Sequence, residues 1–165
     1  SIKSDSQNLI DHGKATTTKV IAFNVVKANK KNAEILGIKQ DDNIYYIERV
    51  IYLENQPIIF EKSYMSVDMH PEISIKYLED SKYKYAKNHN FNIQYSYQKV
   101  SPVFPTDYIA DTLKILPTQP ILRVEMITHL SDGKVFDYQK RYCNSELYQY
   151  NVIKRIESAD FHSII

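Results

Sequence analysis

The sequence feature that most limits the fold of this 165-residue chain is an internal repeat with an offset of 77 residues. Without a gap, Ala33–Ile38 (AEILGI) falls on Ala110–Ile115 (ADTLKI), and Glu48 falls on Glu125. Each half then consists of a strand, a helix and a hairpin, with a further helix expected over Ile73–Tyr85 between the halves. Two such units predict an α+β domain with a largely antiparallel sheet of about six strands, helices packed on it and pseudo-two-fold symmetry.

Tyr45–Ser66 is predicted to form the first hairpin, because apolar residues alternate on both sides of a short polar turn. If the loop is Glu54–Gln56, Arg49 lies directly opposite Glu61, on a face that Ser63 shares. A cation and a carboxylate on an otherwise apolar sheet face either bind a ligand or form a structural cross-strand pair of about 0.2–1 kcal/mol. The residues alone leave both interpretations open.

The rest of the chain divides into short elements separated by capping and turn signals. Before the first hairpin, the expected elements are a short helical run within residues 1–13, a strand over Lys14–Lys27 and a helix over Asn29–Gly37. After it, one interrupted or two short helices are expected over His70–His89, with a break at Asp80 and Ser81. The remaining elements are a strand over Phe91–Val103, a helix over Pro105–Ile115, a hairpin of strands Pro120–Leu130 and Val135–Cys143, and a last short strand over Tyr148–Ile153.

The two copies of the repeat differ in the polar residues of their hairpins. With the ungapped offset, the counterparts are Arg49 and Met126, Glu61 and Tyr138, and Ser63 and Lys140. This asymmetry predicts a single site between the halves rather than two equivalent sites.

Charge and composition exclude several classes of protein. The 21 basic and 20 acidic residues give a net charge of +1, whereas a domain that grips nucleic acid by itself usually carries a strongly basic surface. A single cysteine, Cys143, allows neither an intramolecular disulfide nor a cysteine-based zinc site, and is expected as a half-buried strand residue in a reducing cytoplasm. No apolar run is long enough to span a membrane, and the five histidines are expected at the surface or in turns.

The sequence contains no pattern typical of an active site or a cofactor site. There is no nucleophile motif, no metal-ligand spacing and, with three glycines, little material for a phosphate-binding loop, so neither catalysis nor a cofactor is expected. The start of the helical run, Ser4, Asp5, Ser6 and Gln7, offers backbone N–H groups to an anion, although ordinary N-capping explains it equally well. Asp137 and Lys140 are further candidates for ligand contact.

Leu36–Ser66 resembles the UTRA effector-sensing domain of GntR-type transcription regulators, HutC subfamily, in its leucine-glycine helix end, strand with Arg, turn before Pro and strand with Glu leading into Ser-Tyr. The resemblance continues through Asp80–Tyr85, Ser131–Tyr142 and Leu147–Tyr150. It implies a chorismate-lyase-like fold with a six-stranded antiparallel core, an effector pocket beside the sheet, and homodimerisation.

The resemblance also implies roles for individual residues. Arg49 would contact an anionic group of the effector and Glu61 the hydroxyls of a sugar, while Ser81, Lys140 and Tyr148 match positions that face the pocket. Ser4–Gln7 would lend backbone N–H groups to a phosphate. Many members carry a second Arg two residues after the first, but this chain has Ile51 there. Among the branches, trehalose-operon repressors that sense trehalose 6-phosphate look most similar.

The intact proteins of this family begin with a winged-helix DNA reader, and nothing in these 165 residues resembles one. The whole chain is therefore expected to be one effector-binding domain of a cytoplasmic repressor that meets DNA only through a missing N-terminal domain and does not bind membranes. Two alternatives stay open, namely a chorismate-lyase-like enzyme acting on a small anionic substrate and a purely structural dimerisation module.

Overall fold

The computed structural model describes residues 16–156, which form a six-stranded sheet with four short helices. The elements are β1 (Thr16–Lys27), α1 (Lys30–Leu36), β2 (Asn43–Leu53), β3 (Gln56–Ser66), α2 (Ile75–Asp80), α3 (Lys82–Asn88), β4 (Ile93–Val103), α4 (Asp107–Leu113), β5 (Ile121–Leu130) and β6 (Val135–Cys143). The strand order is β1-β2-β3-β6-β5-β4, and every neighbouring pair is antiparallel. The predicted α+β class, strand number and repeated strand-helix-hairpin unit are confirmed.

The repeat organises the sheet, because β3 and β6, the last strands of the two units, pair at its centre. The ungapped offset of 77 is correct for β5 but wrong for β6. Arg49 pairs with Glu61, whereas Met126, the counterpart of Arg49, pairs with Gln139. The second turn is one residue longer than the first, so the structural counterpart of Glu61 is Gln139 rather than Tyr138.

The first turn is also shorter than expected. Leu53 pairs with Gln56, leaving a two-residue turn of Glu54 and Asn55, whose φ angles of 49° and 69° are typical of a type I′ hairpin turn. A register shift after Ile51 then adds one residue to β3. This bulge restores the predicted pairing of Arg49 with Glu61.

Capping side chains set the helix boundaries. Asn29 begins α1 by accepting a hydrogen bond from the backbone N–H of Asn32 at 2.8 Å, and Gly37 ends it at φ 69°. Ser81 has extended backbone angles between α2 and α3, and its Oγ accepts from the N–H of Lys84 at 3.3 Å. His70–His89 therefore contains two short helices rather than one interrupted helix, and both arrangements were expected from the sequence.

Helices cover both faces of the sheet, and each face contributes to the core. On the α2–α3 face, Ile47 and Met65 are buried against residues of the two helices, including Leu78 and Tyr85. On the α1–α4 face, two smaller clusters form under α1 and α4. None of these helices has the length and apolar character required to cross a lipid bilayer within residues 16–156.

Three expectations for the chain are wrong. Residues 144–156 form a turn followed by chain without regular secondary structure, so the predicted strand over Tyr148–Ile153 is not present. Tyr148 is instead buried against apolar residues that include Ile51 and Cys143. His70 is fully buried rather than at the surface, and Cys143 lies in β6 as expected but is completely buried rather than half-buried.

Candidate functional site

Arg49 and Glu61 form a two-point ion pair at the middle of the α2–α3 face. The Nε and Nη2 groups of Arg49 donate to Oε1 and Oε2 of Glu61, both at 2.9 Å, and Nη1 donates to the backbone carbonyl of Leu78 at 2.8 Å. The guanidinium thus ties the central strands to the last turn of α2. This geometry matches the fork arrangement that Arg uses to recognise carboxylates.

Lys82 enters this site from the other helix. It is the first residue of α3, directly after the Ser81 cap, and its Nζ donates to Ser63 Oγ at 2.6 Å and Asp137 Oδ2 at 2.9 Å. The same Nζ lies 3.5 Å from Glu61 Oε1. Lys82 therefore links the two carboxylates of the site across the β3–β6 pair.

The central strand β6 contributes three polar side chains at period two, Asp137, Gln139 and Arg141. Arg141 Nε donates to Glu61 Oε2 at 3.0 Å and to Gln139 Oε1 at 3.2 Å. Gln139 Nε2 donates to Asp137 Oδ2 at 2.5 Å. Both halves of the repeat thus supply the site, which lies where their last strands meet.

We refer to these seven residues as the central charged cluster, namely Arg49, Glu61, Ser63, Lys82, Asp137, Gln139 and Arg141. Every member is 7% or less exposed, and three cations face two carboxylates. Charges buried to this degree are costly unless they are paired, and each of the three cations has a carboxylate oxygen at 2.9–3.0 Å.

The ionisation of the cluster follows from its contacts. Burial by itself would raise the pKa of Glu61, but Arg49 and then Lys82 outweigh burial and hold this pKa below its ordinary value. Burial lowers the pKa of Arg141, although a guanidinium stays protonated at neutral pH. Among the described residues, Asp137 Oδ1 is buried and accepts no hydrogen bond. This oxygen can accept a hydrogen bond from a hydroxyl group.

The structure brings together only some of the predicted site residues. Arg49, Glu61, Ser63 and Asp137 belong to the central charged cluster, whereas Ser4–Gln7 lie outside the described residues. The other three predicted residues, Ser81, Tyr148 and Lys140, lie outside the central charged cluster.

Ser81 is half-buried next to Lys82, but its hydroxyl caps α3. Tyr148 is buried in an apolar cluster that lies next to the central charged cluster on the same face of the sheet. Lys140 pairs with Lys62 in the β3–β6 register and lies on the α1–α4 face, with its Nζ 6.0 Å from the centre of the Tyr138 ring. It therefore points away from the central charged cluster.

Three cluster residues were missed by the sequence reasoning, namely Lys82, Gln139 and Arg141. The alternation of Asp137, Gln139 and Arg141 was a usable signal, since it places all three on one face of a strand. Lys82 had no such signal, because its partners Ser63 and Asp137 are 19 and 55 residues away.

His70 supports the cluster from the apolar side. Its Nε2 lies 2.8 Å from the carbonyl oxygen of Phe136 and its Nδ1 lies 2.9 Å from the hydroxyl of Tyr85. Burial lowers the pKa of His70 to about 4, so the neutral ring donates to the carbonyl and accepts from the hydroxyl. His70 thereby fixes the backbone immediately before Asp137.

Residues 16–156 contain no group of three or more His, Cys, Asp or Glu side chains placed to hold a metal ion. The hydroxyl of the central charged cluster, on Ser63, accepts a hydrogen bond from Lys82 Nζ at 2.6 Å, and this ammonium is also paired with Asp137. The cluster combines buried cations with a carboxylate oxygen that has no hydrogen-bond donor among the described residues.

Comparison with known proteins places these observations in a family. The model of the UTRA domain matches residues 11–149. The Escherichia coli (strain K12) mannosyl-D-glycerate transport/metabolism system repressor MngR is 28% identical over 159 residues, covering 96% of this chain and 66% of MngR. The uncharacterized HTH-type transcriptional regulator YydK of Bacillus subtilis (strain 168) is 31% identical and covers 82% of this chain and 58% of YydK.

Solved structures agree with this placement. The YydK crystal structure superposes with a TM-score of 0.81 at 30% identity, covering 86% of this chain and 64% of that one. A GntR-family regulator from Bacillus cereus gives a TM-score of 0.76 at 27% identity, covering 85% of this chain and 99% of that one. The chain spans less than two thirds of the length of MngR and of YydK. Its sequence and fold together show that the chain belongs to the UTRA domain family of GntR-type transcription regulators.

Proposed function

We propose that this chain is the effector-sensing and dimerisation domain of a bacterial transcriptional repressor, and that the central charged cluster binds a small anionic sugar. The observation that carries this proposal is the buried set of cations and carboxylates in which Asp137 Oδ1 accepts no hydrogen bond from the described residues. A purely structural network would be expected to satisfy each buried acceptor when no solvent can do so.

Each part of the cluster has a role in this proposal. The anionic group of the sugar is attracted by the cations, and the sugar hydroxyls donate to Glu61 and to the free oxygen of Asp137. Ile51 stands where many family members have a second Arg. Arg141 supplies a second guanidinium on the same face of the sheet, with its Nε 3.0 Å from Glu61 Oε2. Recognition of a phosphate or carboxylate is therefore compatible with the Ile51 departure from the family pattern.

Binding can be coupled to a change of shape through α2 and α3. Arg49 holds the carbonyl of Leu78 at the end of α2, and Lys82 anchors the start of α3. An anion that replaces the present partner of Arg49 or of Lys82 alters how the two helices are held on the sheet. Such a switch requires only different affinities for two states, with coupling of typically about 1–3 kcal/mol.

The effector class can be narrowed by chemistry. Trehalose 6-phosphate is the favoured effector from the sequence pattern, in keeping with a place in the HutC subfamily. MngR is named for mannosyl-D-glycerate, a glycoside that carries a carboxylate. Both are sugars with one anionic group and many hydroxyls, and the cluster offers cations and acceptors for both features.

A thermal-shift panel tests the proposal. Trehalose 6-phosphate, glucose 6-phosphate and mannosyl-D-glycerate are compared with neutral trehalose, and a ligand present at ten times its Kd is expected to raise the unfolding midpoint by roughly 3–6 °C. Arg49→Met should remove the response. Equal effects of trehalose and its phosphate, or no stabilisation by any anionic sugar, would contradict the proposal.

The proposal extends to the intact protein, in which the rest of the length holds a winged-helix DNA-binding domain and the UTRA domain forms a homodimer in the cytoplasm. Light scattering on the isolated chain measures its mass in solution, and a monomer at micromolar concentration would rule out dimerisation by this domain alone.

A further inference from the structure

A second group of charges lies on the α1–α4 face, directly behind the central charged cluster. One register row of the sheet runs through Glu48, Lys62, Lys140 and Glu125 on four neighbouring strands. The row is itself duplicated, since Glu125 is the counterpart of Glu48 and Lys140 that of Lys62. Its two lysines face each other across the β3–β6 pair, and like charges in such positions are destabilising.

The carboxylates of the row do not neutralise these lysines. Glu48 accepts hydrogen bonds from the hydroxyls of Tyr46 and, at 2.5 Å, Tyr108. Glu125 accepts from the hydroxyl of Tyr138 at 3.2 Å. Within residues 16–156, neither lysine has a carboxylate within 4.0 Å.

The two ends of the row differ in charge, and the difference follows from the repeat. Around Glu48, the neighbouring side chains other than Lys62 are neutral, namely Tyr108, Tyr46 and Ala22. Their counterparts around Glu125 are cationic, with Lys31 in place of Tyr108, Arg123 in place of Tyr46 and Lys99 in place of Ala22. Counting the row and these three residues, five cations face two carboxylates.

Two further observations show that Glu125 does not balance the cations at this end of the row. Burial and then Lys31 lower the pKa of Lys140 and outweigh Glu125, which raises it. Arg123 Nε is buried without a hydrogen-bond acceptor among the described residues, and Arg123 Nη2 is 3.9 Å from Glu125. The Arg123 side chain is nevertheless 31% exposed, so the site is open to solvent and to a ligand.

We propose that Lys31, Lys62, Arg123 and Lys140 form a second anion-binding site, which takes a phosphate-type oxyanion on the α1–α4 face. A phosphate supplies two negative charges and several acceptors, which matches lysine ammonium groups and the fork of an Arg. The ligand source is either free inorganic phosphate or the phosphate group of a phosphorylated metabolite. The site does not depend on the function proposed for the central charged cluster.

The test is an NMR titration of the chain with inorganic phosphate at constant ionic strength, with chloride as the reference anion. We expect saturable shifts of backbone amides around Lys62, Arg123 and Lys140. Lys31→Tyr and Arg123→Tyr, which introduce the residues found at the equivalent positions around Glu48, should each weaken phosphate binding roughly fivefold. Lys76→Tyr is the matched control, because Lys76 is also the exposed second residue of a short helix.

Glucose 6-phosphate distinguishes the sources when it is titrated into Arg49→Met, in which the central charged cluster is disabled. Tighter binding than inorganic phosphate at the same amides identifies a metabolite site, and equal or weaker binding identifies a phosphate site. Lys62→Met adds an independent measurement, since it should raise the unfolding midpoint in chloride while removing stabilisation by phosphate. Shifts that never saturate, or equal affinities in Lys31→Tyr and Lys76→Tyr, would overturn the proposal.

Discussion

Replacing Glu61 by glutamine removes the charge that holds the three cations of the central cluster together, while the shape of the side chain is kept. Glu61 accepts three hydrogen bonds from guanidinium groups at 2.9–3.0 Å and is completely buried. An amide can accept only part of these bonds and turns its N–H groups toward cations. Glu61→Gln is therefore expected to leave the buried Arg49 guanidinium without its carboxylate and to remove a carboxylate contact of Arg141.

The size of the effect follows from this loss of a partner. Removing one member of a buried, hydrogen-bonded ion pair typically costs about 3–5 kcal/mol. For a domain of this size, that corresponds to a decrease of roughly 6–20 °C in the unfolding midpoint. Arg49→Met should cost a similar amount, because it leaves Glu61 with fewer cations and frees the carbonyl of Leu78.

The double variant Arg49→Met with Glu61→Gln is the decisive measurement, because the second hairpin of the protein already contains this pair of residues. Met126 and Gln139 are the counterparts of Arg49 and Glu61, and they face each other in the second hairpin. Arg49→Met with Glu61→Gln should therefore be more stable than the sum of the single effects predicts, with a coupling of about 2–3 kcal/mol. Removing both members of a buried pair is often tolerated where removing one is not.

Urea unfolding at pH 7, with midpoint and slope fitted for all four proteins, gives the coupling energy. Lys84→Met is the control, because its ion pair with Asp80 is exposed and should change stability by less than about 0.5 kcal/mol. Additive single effects, or a Glu61→Gln protein within about 1 kcal/mol of the wild type, would refute the view of the cluster as a tightly coupled charged network.

Three further outcomes are expected. The unfolded chain protonates His70 near its ordinary pKa of 6.5, whereas the folded chain does so only near 4. Stability should therefore fall by about 3 kcal/mol as pH decreases from 6.5 to 4, and His70→Phe should flatten this part of the urea-midpoint profile. Ser81→Ala should destabilise the domain by about 1 kcal/mol through loss of the α3 cap, whereas Ser81→Asn should restore most of it, as measured by urea unfolding. Burial raises the pKa of Cys143 to about 12, so alkylation at pH 8 should occur only at the rate of unfolding, and rapid labelling of the folded protein would contradict this.

Much of the sheet could be predicted because the sequence signals that define its strands and turns are local. Alternation of apolar residues defines each strand, and the Asn29 cap and Gly37 stop define α1. The pairing of Arg49 with Glu61 was also predicted, although the loop was not. A shorter turn and a bulge after Ile51 compensate each other, and neither leaves a signal in the alternation pattern.

The site was predicted less completely, for two physical reasons. One extra residue in the second turn exchanges the two faces of β6 relative to an ungapped repeat, so Lys140 was chosen where Gln139 and Arg141 face the cluster. Lys82 is one of several lysines in a polar segment, and only the docking of α3 on the sheet makes it a partner of Asp137. Long-range contacts of this kind depend on the tertiary fold rather than on local pattern.

The two units of the repeat have diverged most where they meet. Apolar counterparts such as Ile47 and Val124 keep the core, whereas Glu61 has become Gln139 in the other copy, a change of charge with almost no change of shape. A site that kept the pseudo-two-fold axis would accept a ligand in two orientations. Lys82 breaks this symmetry as well, because within residues 16–156 the α2–α3 segment has no second copy and Lys82 reaches the cluster from this segment. A symmetric sheet thereby presents an asymmetric set of charges, which is what selection of one ligand in one orientation requires.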